Sequence, residues 1–176
     1  MSESSGNRRI DRILAPGYVD ALEDLPLDEL RARRDECLAE REYLSLLRRL
    51  VQGRAEILHA ELDRRGAGGN DEPLVERLSS ILATEGHTPS RGEAVRVGVP
   101  DEELLLARRR VERLVADAGL SDPGALDDEQ LGRAVDALAN EEHEVSQARS
   151  QVIDALDRLQ DELKRRYKQD PTLVLS

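Results

Sequence analysis

Leucine and valine recur at helical spacing in LSLLRRLVQGRAEIL, residues 44–58, and no proline interrupts them. Beside that apolar seam runs a polar row, Ser45, Arg48, Gln52 and Glu56. A second stretch, VSQARSQVIDALDRL at 145–159, has the same plan 101 residues later. Two long helices sharing one pattern imply an all-α protein, an antiparallel coiled coil of two long helices joined by shorter helices and loops.

The match between the two stretches extends beyond them without a gap. Leu25/Leu126, Leu30/Leu131, Ser45/Ser146, Arg48/Arg149, Val51/Val152, Leu58/Leu159, Glu61/Glu162, Arg64/Arg165 and Arg65/Arg166 are identical at this offset. A shared Leu or Glu means little in charge-rich helices, but a common register across both polar rows means more. Two copies make a pair rather than a solenoid.

Composition agrees with long helices packed side by side. Of 176 residues 36% are charged, Phe and Trp are absent, and there are three Tyr, so a thick layered core is not expected. The net charge of −11 argues against gripping a DNA or RNA backbone, where affinity comes largely from neutralising phosphates. It leaves room for a small nucleotide in a local basic pocket, or for a basic protein partner. The single cysteine, Cys37, rules out an intramolecular disulfide framework. No apolar run approaches the roughly 20 residues of a membrane span, and MSESSGNRRIDRIL has no signal-peptide core. The expectation is a soluble, cytoplasmic protein with no membrane contact.

Punctuation along the chain sets the expected boundaries. Residues 1–22 read as a mobile N-terminal arm, and 23–66 as the first long helix, with Asp24 as N-cap and Gly66 as stop. Residues 67–126 should hold connecting short helices and loops: a helix over 71–86, a loop over 87–100 and a helix over 101–119. The second long helix should span 127–167, capped by Asp127 with Gln130 three residues on, before a tail at 168–176.

A strict 4-3 alternation through the second helix gives Leu131, Val135, Leu138, Glu142, Val145, Arg149, Val152, Leu156, Leu159 and Leu163. Its counterpart is Leu30, Arg34, Cys37, Arg41, Leu44, Arg48, Val51, Ala55, Leu58 and Leu62. Polar residues at 142, 146, 149 and 157, and at 41, 45, 48, 52 and 56, fall within about 80° of one face, on the shoulder of the seam. Each row runs for roughly 22 Å. With Arg48 and Arg149 at one level, Arg41 should lie near Asp157 and Glu56 near Glu142. Facing arginines would repel, so the empty protein should be loosest around 41–56 and 142–157. Such a row suits a flat ligand with central anions and outlying N–H donors. It also fits a plain coiled coil in which single charged positions fix register and partner.

The order Glu, three residues, Ser, two, Arg, three, Gln, three, Asp, present once on each of two antiparallel helices, resembles the signature of the RsiG family of actinobacterial anti-sigma factors. The second copy carries it at Glu142, Ser146, Arg149 and Asp157, with Ile153 where the family has Gln. The first carries Ser45, Arg48 and Gln52, with Glu56 for Asp and Arg41 for the leading acid. The resemblance implies cyclic di-GMP as ligand, bound as a dimer between the helices; no metal is expected. It also implies that the loaded protein sequesters a sporulation/flagellar-type sigma factor of the WhiG type. The implied cyclic di-GMP-binding residues are Ser45, Arg48, Gln52, Glu56, Glu142, Ser146, Arg149 and Asp157.

The residue chemistry fits that ligand independently. Arginine bonds phosphate or guanine O6/N7 in bidentate fashion and stacks on bases. A carboxylate accepts from guanine N1–H and N2–H, and Ser and Gln complete a polar shell. An enzyme is not expected: His59, His87 and His143 have no metal spacing, and GAGGN reads as a linker rather than a phosphate-cradling loop. The rival reading is a structural coiled-coil adaptor with no nucleotide.

Overall fold

The computed structural model describes residues 8–66, 99–117, 124 and 126–174. Their elements are helix α1 (Arg9–Ile13), a 3-10 turn (Leu22–Asp24), α2 (Leu27–Gly66), α3 (Asp101–Asp117), α4 (Asp128–Gln169) and a closing 3-10 turn (Pro171–Val174). The described residues form no strand. The expected helix at 71–86 and nearly all of the loop at 87–100 lie outside the described residues.

Local chemistry fixes the ends of the long helices. Pro26 stands just before α2 and its carbonyl accepts from Leu30 N, so Pro26, not Asp24, is the capping residue. Asp24 belongs to the preceding 3-10 turn. Asp28 and Glu29 at the start of α2, and Arg64 and Arg65 near its end, complement the helix dipole. At α4 the capping box forms as expected. Asp127 N donates to Gln130 Oε1 at 2.9 Å, and Gln130 N donates to Asp127 Oδ1 at 2.7 Å. The helix runs on to Gln169, past the expected end at Tyr167.

The chain divides into two compact units. In the first (residues up to 45 and from 145), the N-terminal half of α2 runs antiparallel to the C-terminal half of α4. Arg31 donates to Tyr167 Oη at 3.1 Å near one end, and Arg149 donates to Ser45 Oγ at 2.9 Å near the other. Leu30, Cys37, Leu44, Val145, Val152, Leu156, Leu159 and Leu163 are buried there. In the second unit (46–144), the C-terminal half of α2 runs antiparallel to the N-terminal half of α4, from Arg48–Glu142 to Arg65–Asp128. Leu47, Val51, Leu58, Leu131, Ala134 and Leu138 form its core, with Ala107 and Val111 of α3.

Residues 8–22 are not a free arm. Ile13 and Leu22 are buried, and Arg9 Nε meets the buried Glu40 carboxylate at 2.6 Å. Tyr18 donates its hydroxyl proton to Glu36 Oε2 at 2.9 Å. In the second unit Arg110 Nε of α3 meets the buried Glu141 at 2.6 Å. Arg9 and Arg110, like Glu40 and Glu141, stand 101 residues apart, as do RRIDRIL (8–14) and RRVERLV (109–115). Each unit therefore uses the same short helix to cover the same part of a long one, and the repeat starts further upstream than Leu25.

The buried line departs from a strict 4-3 seam. In α4 it passes through Ala134 and Glu141, leaving Val135 and Glu142 half-buried; in α2 Glu40, Leu47 and Glu61 are buried in place of Arg41, Arg48 and Leu62. A helix of 3.6 residues per turn drifts about 20° per heptad from a 3.5 repeat. With α1 and α3 also packed on the long helices, the covered face is wider than a two-helix seam.

Candidate functional site

The two polar rows lie on α2 and α4, and each unit holds part of them. In the first unit, Ser45 Oγ donates to the carbonyl of Arg41 one turn back at 2.7 Å and accepts from Arg149 Nε at 2.9 Å. Arg41 itself forms its ion pair with the adjacent Glu42 at 2.7 Å. Ser146 and Ile153 are half-buried on α4, and Asp157 is exposed.

In the second unit, Arg48 Nε donates to Glu142 Oε1 at 2.8 Å, and Gln52 Nε2 donates to the same oxygen at 3.3 Å. The side chains of Arg48 and Glu142 are 41% and 29% exposed, so water screens this pair and its contribution to stability is modest. Glu56 is exposed. Glu142, expected near Glu56, meets Arg48. The expected unpaired arginines are absent, because Arg48 and Arg149 each have a partner within their own unit. Register explains this: the group brought opposite each row arginine is an acceptor, a carboxylate for Arg48 and a hydroxyl for Arg149.

The manner of anchoring matters more than the pairing. Both arginines use Nε, and among the described residues their terminal nitrogens meet no acceptor. A guanidinium held that way keeps its two-nitrogen edge for a planar or tetrahedral acceptor. The structure thus gathers Ser45 with Arg149, and Arg48 with Gln52 and Glu142. It leaves Glu56 and Asp157, equivalent positions of the two rows, without an ion pair among the described residues. Among those residues no group of three or more His, Cys, Asp or Glu side chains is arranged to hold a metal ion. Cys37 is buried, and burial pushes its thiol up to about 11, which removes it as a nucleophile.

Residues 16–82 match the model of a family described as RsiG-like. Over that span the chain is similar to RsiG-like proteins. The matched span takes in all of α2, and so the whole first row. Proteins of that family are regulators of the anti-sigma-factor type, whose class of partner is a sigma factor. No curated protein matches it. No described helix is long and apolar enough to cross a membrane.

Other residues tie the long helices together and are not singled out by the motif. Glu61 accepts from Arg64 (2.8 Å through both Nε and a terminal nitrogen) and from Arg65 Nε at 2.8 Å. Arg65 then reaches the Leu126 carbonyl at 2.6 Å and Asp128 at 3.0 Å, at the start of α4. In the other unit Glu162 accepts from Arg165 and from Arg166, and Arg166 reaches the carbonyls of Leu22 (2.8 Å) and Glu23 (3.0 Å) before α2. Each clamp ties the end of one long helix to the approach to the other. The identical Glu-x-x-Arg-Arg spacing at 61–65 and 162–166 was the available signal.

These clamps give the fold a defined acid response. Hydrogen bonds from Arg64 draw the Glu61 carboxyl down to about 2, against the opposing effect of burial and with help from Arg65. Glu162 is drawn down to about 2 in the same way, first by Arg165 and then, against burial, by Arg166. Folding favours the ionised form of both groups. Their stabilisation is therefore complete above the unfolded value near 4.5 and lost as the pH falls towards 2. Urea melts of Glu61→Gln/Glu162→Gln should show lower stability at pH 7, on the order of 1–2 kcal/mol per site. The variant's loss of stability between pH 4.5 and 2 should be shallower than the parent's. Equal slopes in variant and parent would show that other carboxylates govern the acid response.

Proposed function

We propose that this protein is a cyclic di-GMP-dependent anti-sigma factor that holds a WhiG-type sigma factor when loaded with nucleotide. The observation that carries the reading is the shared anchoring of Arg48 and Arg149 through Nε, with the terminal nitrogens of both left without acceptors among the described residues. Phosphate oxygens, or guanine O6 and N7, are acceptors of the matching shape and charge. Each row adds one exposed carboxylate, Glu56 or Asp157, suited to guanine N1–H and N2–H. Adenine has no such pair of donors, so the rows favour guanine. Arginine stacking supplies the base contact that a protein with so few aromatics cannot.

Ser45, Gln52, Ser146 and Glu142 complete the polar shell of this reading. Glu142 has a second part: by holding Arg48 through Nε it aims the terminal nitrogens of that guanidinium at a ligand anion. Ligand-dependent sigma binding requires that the nucleotide favour one state of the helix pair by its difference in affinity. The test is calorimetric titration with cyclic di-GMP and cyclic di-AMP, followed by capture of a purified WhiG-type sigma factor with and without nucleotide. Saturable binding of cyclic di-GMP alone, with capture only in its presence, is the expected result. Equal binding of cyclic di-AMP would remove the guanine reading, and equal capture without nucleotide would remove the switch.

One observation favours a second reading, a structural coiled-coil adaptor. Arg48, Gln52 and Glu142 form a hydrogen-bonded group among themselves, as register-setting residues do. An adaptor would show no change in melting temperature on addition of cyclic di-GMP.

A further inference from the structure

We propose that the outer face of α3 pairs antiparallel with the same face of a second copy of this chain, making a reversible two-fold dimer. Leu105 and Leu106 are the large apolar side chains most exposed among the described residues, at 50% and 55%. They lie on one side of α3, while Ala107 and Val111 on the other side are buried in the unit's core. Holding Glu141 requires only Arg110, and α1 does the equivalent task at Glu40 with a helix of five residues. α3 extends nine residues upstream of Arg110, and the two leucines lie in that extension.

The charges around the leucines are self-complementary. Glu102 stands three residues before Leu105, and Arg109 three residues after Leu106. At about 100° per residue Glu102, Leu105, Leu106 and Arg109 fall within an arc of roughly 100°. All four are exposed, and among the described residues Glu102 and the Arg109 guanidinium have no ion pair. When two such helices cross antiparallel about the point between the leucines, Leu105 meets Leu106 of the second copy and Glu102 meets its Arg109. Two-fold symmetry makes each contact twice. The helix dipole alone favours acid at the start of a helix and base at its end, but it gives no reason for two exposed leucines between them.

Size sets the strength. A helix of 17 residues is about 25 Å long, and one such pair buries less than the roughly 1,200 Å² of a stable standard interface. The dimer therefore forms as concentration rises, and salt weakens it by screening its two charge pairs. This inference does not depend on the nucleotide or on sigma.

Sedimentation equilibrium of the full chain, without nucleotide and over a range of concentration and salt, is the test. The parent should pass from monomer to dimer. Leu106→Asp should stay monomeric with unchanged helical circular dichroism. Glu102→Arg should weaken the dimer about tenfold by setting arginine against arginine twice, and Arg109→Glu should do the same with acids. Glu102→Arg/Arg109→Glu should recover the parent's association, because the swapped pairs are again opposite in charge. A parent that stays monomeric throughout would overturn the proposal. So would a dimer indifferent to Leu106→Asp and the single reversals, since another surface would then make it.

Discussion

Arg149→Ala is expected to reduce cyclic di-GMP binding by roughly 30-fold to several thousand-fold, the equivalent of about 2–5 kcal/mol for truncating one partner of a hydrogen-bonded charge pair. The proposed contact is charge-assisted and two-pronged, through terminal nitrogens that have no acceptor among the described residues. Ile153→Ala removes only contact area on the same row and should cost less than tenfold. Ser45→Ala separates anchoring from contact. It leaves the arginine in place but removes the acceptor for Nε at 2.9 Å, so its loss should fall between the other two. Calorimetry on the three variants reads the order directly. If Arg149→Ala binds like the parent, the ligand does not use this row.

Leu159→Ala is expected to cost about 2–5 kcal/mol of folding stability, the range for emptying a packed leucine site. Leu159 is fully buried in the first unit, as is Val152, and Leu156 and Leu163 are nearly so. With few aromatics in the chain, aliphatic side chains supply nearly all of the apolar burial. Leu58→Ala, at the equivalent position of the second unit, tests whether the repeat extends to energetics. Urea melts should place the two losses within about 1 kcal/mol of each other if packing is equivalent, given how far such costs vary with the room for collapse. Exposed Leu105→Ala should change stability by less than about 0.5 kcal/mol.

The hydrogen-exchange expectation changes with the structure. Facing, unpaired arginines would have loosened residues 41–56 and 142–157 in the empty protein. Instead, Arg48 with Glu142, and Arg149 with Ser45, are attractive contacts at those levels. Hydrogen exchange at 41–56 and 142–157, with and without cyclic di-GMP, reads whether these contacts already protect both segments.

Sequence alone determined the two long helices and the kind of core. Helical periodicity, the scarcity of aromatics, the Asp127–Gln130 capping box and the Arg-Arg-Gly stop at 64–66 depend on neighbours within a few turns, which a linear reading captures. It also brought out the two rows, because a repeat at a fixed offset is visible without coordinates. Only the tertiary structure decided which charges meet. Arg48 could have faced Arg149 or met Glu142, and a small change in register between helices separates those outcomes. Tertiary packing also recruited residues 8–22: a five-residue helix is too short to persist alone, and burial of Ile13 with the Arg9–Glu40 pair holds it. The choice of Glu40, Glu61 and Glu141 as buried carboxylates was hidden for the same reason. An acid is buried only where an arginine reaches it, and for Glu40 and Glu141 that arginine comes from a helix distant in sequence.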